Sequence, residues 1–341
     1  MKVDQFPDRT IRINNEDYLY FGGTAYLGLP TNPEFQQLLL KNIVRWGTAY
    51  GSSRSANVHL SAYENGENFL ARYINAAAAL TVSSGMLAGK LVLEVLKRET
   101  DCFFHFPNSH TAIKIAGSIP FFIGKKLNPR LLDSASEKIT ILTDAVPSLQ
   151  TRPIDLSIIN KISKYKEITV LVDESHSLGI LGYQGCGIYS SIQHPNIKRK
   201  IMIASLAKAM GLSGGVIASD LEFINYIKSI DTFVSSSGMN PAFVQTLADA
   251  ELIYIEQNKK LKNNLSYLTA NLITNKKILF DPDYPLIYPK IPKINSILYA
   301  SKIIVTNFKY PTGNKELNRI VITANHKMED LDLLIQIMNK T

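Results

Sequence analysis

The sequence predicts an α/β fold: a large domain built on a mostly parallel central sheet, followed by a smaller α+β domain at the C-terminus. Three observations point there. Five short, continuously apolar runs, "AALTVSS", "DCFFHF", "KITILTDA", "ITVLVDES" and "KIMIASL", read as strands buried on both faces, as parallel strands are. Helix-period segments lie between several of them, which is the alternation that right-handed crossovers need. After about residue 237 the alternation stops and a long helical pattern takes over.

The elements follow in chain order. "TNPEFQQLLLKNIVRWG" has Asn32 as a cap, Pro33 at the first helical position and apolar residues at helical spacing. Helices are expected over 85–98 and 155–165, and a long helical pattern runs from Pro241 to about Asn275. A Pro/Tyr-rich stretch over 281–292, short strands and a last helix complete the chain. The expected division is an N-terminal arm and helix over 1–45, a large domain over 46–237 and a small domain over 238–341.

Composition narrows the function. With 341 residues, 45% hydrophobic and 19% charged, this is an ordinary globular chain able to bury a substantial core. No apolar run reaches the roughly 18 residues of a membrane span, and the N-terminus lacks an apolar signal core, so no membrane partner and a cytoplasmic location are expected. The formal charge of +8 is dispersed as in "NKKLKNNL" and "IKRK", without a nucleic-acid motif, and fits solvated surface or attraction of an anionic, phosphate-bearing substrate. Two cysteines without CxxC or Cys/His spacing indicate neither a disulfide framework nor a metal site.

Three strand ends carry the chemistry. After "AALTV" come Ser83, Ser84 and Gly85 and then a helix; backbone N–H groups and hydroxyls at a helix start suit phosphate, although Ser-Gly is also plain turn chemistry. "ITVLVDESHS" ends a strand in Asp173, which either caps the next turn or waits for a cationic partner, and adds His176, structural or catalytic. "KIMIASLAKAMG" places Ser205 and Lys208 past another strand, and Lys208 either snorkels to solvent or is held as a neutral amine. Taken together, a lysine, an acid and a phosphate turn at three strand ends of one sheet are what pyridoxal phosphate chemistry requires.

At this point the residues resemble a family, the pyridoxal-phosphate-dependent α-oxoamine synthases of aminotransferase fold type I. The resemblance covers most of the chain: "AYLGL" (25–29), "YGSSRSA" (50–56), "SSGMLAG", "VDESHSLGILGYQGCG", "ASLAKAMGLSGG", "FVSSSGMNPA" (233–242) and "NRIVITANHKMEDLDLL" occur in the family's order. It implies Lys208 as the Schiff-base lysine, Asp173 against the pyridine nitrogen and His176 near the phenolic oxygen. His110, with His105 as competitor, would stack on the ring. Ser84, Gly85, Met86 and Ser205 would hold phosphate, joined by Ser236 across the interface of a homodimer with a shared active site. Arg319 would hold the amino acid carboxylate, and Thr24 would border the substrate.

The implied reaction is decarboxylative condensation of an amino acid with an acyl thioester, carried on coenzyme A or a carrier protein, to an α-amino ketone, as in the 8-amino-7-oxononanoate synthases. An aminotransferase of class I/II, or a non-catalytic protein on the same fold, are the rival readings. The chain departs from the family pattern at Thr24, Met86, Gly89, Ala207 and Tyr63 and is shorter than typical members. These departures bear on the acyl donor and the amino acid more than on the cofactor.

Overall fold

The computed structural model describes residues 1–341 apart from 148, 274–276 and 310–315. All five apolar runs are strands, and they lie in one seven-stranded sheet. Its order is Ala78–Val82, Gly215–Ser219, Ile197–Ser205, Lys166–Asp173, Glu137–Asp144, Cys102–His105 and Ile119–Pro120. The last five are mutually parallel. Gly215–Ser219, not among the five expected strands, runs antiparallel to both neighbours. Two reversals cancel, so Ala78–Val82 points the same way as Ile197–Ser205. The ends of four strands, at Val82, Ser205, Asp173 and Asp144, therefore share one edge of the sheet.

Local chemistry explains the helices that border this edge. Asn32 caps Pro33–Trp46 through Phe35 N–H (3.0 Å). Ser84 caps Gly85–Leu96 through Leu87 N–H (3.1 Å) and so aims the helix start at the strand ends. The helix expected at 155–165 is instead a 3-10 helix, Leu156–Lys161. Asp155 caps its start through Ser157 N–H, and β-branched Ile158 and Ile159 follow, residues that lower α-helix propensity. The pattern from Pro241 is two helices, Pro241–Asp249 and Glu251–Asn271, which meet at Ala250; the expected limit at Asn275 lies outside the described residues.

A second, six-stranded sheet joins both ends of the chain. The hairpin Thr10–Ile13 and Glu16–Phe21 turns at Asn14 and Asn15, both with positive φ as a primed hairpin turn requires. Glu16–Phe21 then pairs in parallel with Ile303–Lys309, beside Glu316–Val321, Leu286–Pro289 and Ile278–Phe280. Arg9 to Asp330 (2.8 Å) and Asn325 to Asp8 (2.9 Å) tie the arm to the last helix, Met328–Lys340. This closure carries Gly23, Thr24 and Tyr26 over the ends of the large sheet. Among the described residues no helix is long and apolar enough to cross a membrane.

Candidate active site

Lys208 sits in the turn after Ile197–Ser205. The loop closes on itself, with Leu206 N–H to Gly214 O (3.0 Å) and Leu212 N–H to Leu206 O (3.1 Å). Gly211 takes φ 74°, where a Cβ would meet Leu29 at 2.7 Å. The amine turns inward and lies 2.9 Å from His176 Nε2. Burial pushes the Lys208 amine down, against the pull of Asp173 and Asp144. His176 Nδ1 in turn lies 2.9 Å from the hydroxyl of Tyr26, a fully buried ring, and Tyr284 donates to the His176 carbonyl (3.0 Å). Burial and the neighbouring Lys208 hold His176 well below its usual range, so it stays neutral.

Asp173 is 4% exposed at the end of its strand, with Oδ1 accepting Ser175 N–H at 2.9 Å. Its Oδ2 is 3.6 Å from His110 Nδ1. His110 therefore belongs to this cluster, whereas His105 bonds Ser118 Oγ (2.9 Å) on the strand before. Ser175 Oγ accepts Ser205 N–H (2.8 Å) and locks the Asp173 turn to the Lys208 strand. Gly85 approaches so closely that a Cβ on it would meet Ser205 N and Cα at 2.9 Å. Ser84, Gly85, Met86 and Ser205 are thus gathered where the sequence places a phosphate turn.

Arg319 crosses from the second sheet and donates to Gly23 O (3.3 Å). Its charge acts on Tyr26, His176 and Lys208. Thr24 and Ala207 line one cavity of about 310 Å³ with Tyr20, Phe6 and Ser213. The Ser236 hydroxyl donates to Thr232 O, and Ser236 lines a small pocket with Arg54, Val82 and Leu87, next to the Ser84–Gly85 turn. Four contributors were missed in the sequence: Tyr26, although its motif is visible, Ser175, Tyr284 and Asp144. The last ends an apolar strand just as Asp173 does, which is the signal that could have found it.

The Glu174 carboxyl, beside Asp173, is fully buried and pushed up to about 7 by that burial, while accepting from Ser177 Oγ (2.6 Å) and Ile188 N–H (2.8 Å). A carboxyl raised in the folded chain binds its proton there after the unfolded chain has released it, so its contribution to stability falls as pH rises. Relative to Glu174→Gln, the natural protein is expected to lose stability between about pH 4.5 and 7, by at most about 1.4 kcal/mol per pH unit. Urea unfolding of both proteins across that range checks it. A stability difference independent of pH would contradict the raised carboxyl.

The family model for class I and II aminotransferases matches residues 135–338. The chain belongs to this family. A second model, for the DegT/DnrJ/EryC1/StrS aminotransferases, matches residues 59–195. Among curated relatives, the 8-amino-7-oxononanoate synthase of Petrotoga mobilis is 29% identical over 97% of this chain and 90% of its own length. That of Thermoanaerobacter pseudethanolicus is 28% identical over 96% and 88%. The fold of Sphingomonas wittichii serine palmitoyltransferase superposes with TM-score 0.81 at 18% identity, covering 97% of this chain and 89% of that one. The 8-amino-7-oxononanoate synthase of Francisella tularensis gives TM-score 0.69 at 22% identity, covering 95% and 97%. The resemblance to the α-oxoamine synthases and the fold type I architecture are thereby borne out, and the chain is an enzyme dependent on pyridoxal 5′-phosphate.

The residues present fit that cofactor. A primary amine with a lowered pKa, a buried carboxylate and an imidazole stand at one sheet edge. Beside them is the start of a 12-residue helix whose Gly85 and Met86 N–H groups have no acceptor inside the helix, as at any helix start.

Proposed function

We propose that this enzyme is an acyltransferase that condenses an amino acid with an acyl thioester, releasing thiol and carbon dioxide and leaving an α-amino ketone. The observation that carries the reading is the buried Lys208 amine, 2.9 Å from neutral His176 and on the same sheet edge as Asp173. Pyridoxal phosphate, when bound, supplies an electron sink for the amino acid α-carbon. It would be anchored by Lys208, with Asp173 against its ring nitrogen, His176 near its phenolic oxygen and His110 on its face. The Gly85 and Met86 N–H groups with the Ser84 and Ser205 hydroxyls would hold its phosphate.

The chain's own groups divide the remaining work. Lys208, whose ammonium form burial disfavours, accepts the proton from the amino acid α-carbon. His176, oriented by Tyr26, holds the Lys208 amine in place through Nε2. Asp173 keeps a fixed negative charge where positive charge must persist on the ring nitrogen, which needs no reorganisation during the reaction. Arg319 orients the substrate carboxylate from the second sheet. The cavity at Thr24 and Ala207 receives the acyl group, delivered as an acyl-CoA or an acyl carrier protein thioester.

The assembly proposed is a cytoplasmic homodimer in which Ser236 serves the other subunit's phosphate site. The large domain spans 46–237 and the small one 238–341, with the 1–45 arm closing over the site. An 8-amino-7-oxononanoate synthase-like reaction is the form the curated relatives favour. Mixing the enzyme with Ala, Gly or Ser and a panel of acyl thioesters is expected to release free thiol. A requirement for a 2-oxo acid with no thiol release would make it an aminotransferase. Arg319→Ala is expected to raise the amino acid KM roughly tenfold or more, the loss of a charge-assisted contact, with a smaller effect on kcat. An unaltered amino acid saturation curve would remove Arg319 from that role.

A further inference from the structure

Asp144 is a buried carboxyl for which the proposed reaction has no use. It ends the strand Glu137–Asp144 as Asp173 ends Lys166–Asp173, and the two are direct partners in the parallel ladder. Partner residues on adjacent parallel strands, roughly 4.8 Å apart, point to the same face. Asp144 is 8% exposed and Asp173 4%. Two carboxylates this close and this dry cannot both be charged at low cost. The charged and titratable groups facing Asp144 are Asp173, His110, Lys208 and Lys114. Among the described residues no cation lies within ion-pair distance of Asp144, and its Oδ2 accepts the His110 main-chain N–H at 2.9 Å.

We propose that Asp144 is a positioning residue that holds a proton beside Asp173, leaving Asp173 the one charged carboxylate of the pair, and that its Oδ2 fixes the His110 main chain so that the imidazole stays against Asp173. Burial and the neighbouring Asp173 push the Asp144 carboxyl up to about 8, in line with this assignment. The first half depends only on the chain; the second rests on the cofactor reading above, through His110. A second carboxyl that stays neutral leaves the charge facing the ring nitrogen to Asp173 alone.

The test has two readouts. Infrared difference spectra of the cofactor-free protein just above neutral pH are expected to show the C=O stretch of a protonated carboxyl, with its shift in heavy water. That band should persist in Glu174→Gln, which removes the other raised carboxyl, and vanish when Asp144→Asn is added to Glu174→Gln. Pyridoxal phosphate titration should then show Asp144→Ala binding about tenfold more weakly, the loss of one hydrogen-bond acceptor, with Asp144→Asn recovering most of it because its amide oxygen still accepts from His110. A band that survives in the Glu174→Gln, Asp144→Asn double variant, or that is already lost in Glu174→Gln alone, overturns the proton assignment. Asp144→Asn binding the cofactor as poorly as Asp144→Ala overturns the positioning role. Natural protein that shows the band but takes up no pyridoxal phosphate supports the proton assignment and overturns the cofactor reading instead.

Discussion

Lys208→Ala abolishes the visible absorption band of the cofactor-loaded protein and lowers turnover roughly 10⁴- to 10⁶-fold, the scale on which removal of a covalent nucleophile acts. The expectation follows from position and protonation together. The amine lies at the end of a buried strand, 2.9 Å from His176, and burial pushes it toward the nucleophilic, uncharged form. A solvent-facing lysine would have neither feature. The variant should fold as well as the natural protein, because the amine it removes is held against its preference for charge and water. A denaturation midpoint that does not fall, combined with loss of the band, separates the chemical role from a structural one. Persistence of the band would overturn the assignment of Lys208.

Asp173→Ala is expected to keep the absorption band, since Lys208 remains, but to lower kcat roughly 10²- to 10³-fold, as the loss of one fixed electrostatic partner does. The effect should fall on kcat more than on the amino acid KM, because the charge it stabilises grows along the reaction coordinate. Removing Asp173 also takes away the like charge beside Asp144, so Asp144 becomes easier to ionise and can restore part of the missing charge. The double change of Asp173 and Asp144 to Ala and Asn should therefore be slower than Asp173→Ala alone. Steady-state kinetics on the three proteins checks this, and turnover unchanged by Asp173→Ala would remove Asp173 from the site.

Much of the large domain is legible in the sequence because a strand buried on both faces must be apolar along its length. "KITILTDA", "ITVLVDES" and "KIMIASL" leave charged groups only at their ends, and the ends are where Asp144, Asp173, Ser205 and Lys208 stand. Gly215–Ser219 escaped notice because two glycines precede a run of only three apolar residues. The 3-10 turn at Leu156–Lys161 carries helix-like apolar spacing and an Asp155 cap, yet β-branched Ile158 and Ile159 lower its α-helix propensity. The departures at Thr24 and Ala207 are visible in the chain, and the cavity they share is not, because they are brought together across the closure of the N-terminal arm.

By itself the sequence determined the α/β class and marked Ser84 and Gly85, Asp173 and Lys208 as candidate site residues, since each is a local consequence of buried strands meeting polar ends. Tertiary structure alone decided which ends are neighbours. Strand order makes Asp144 the partner of Asp173, the antiparallel Gly215–Ser219 brings Ser205 against Gly85, and the arm lays Tyr26 on His176, 150 positions away. Those contacts depend on which distant segments bury one another best, a property of the whole packed core that no local spacing encodes.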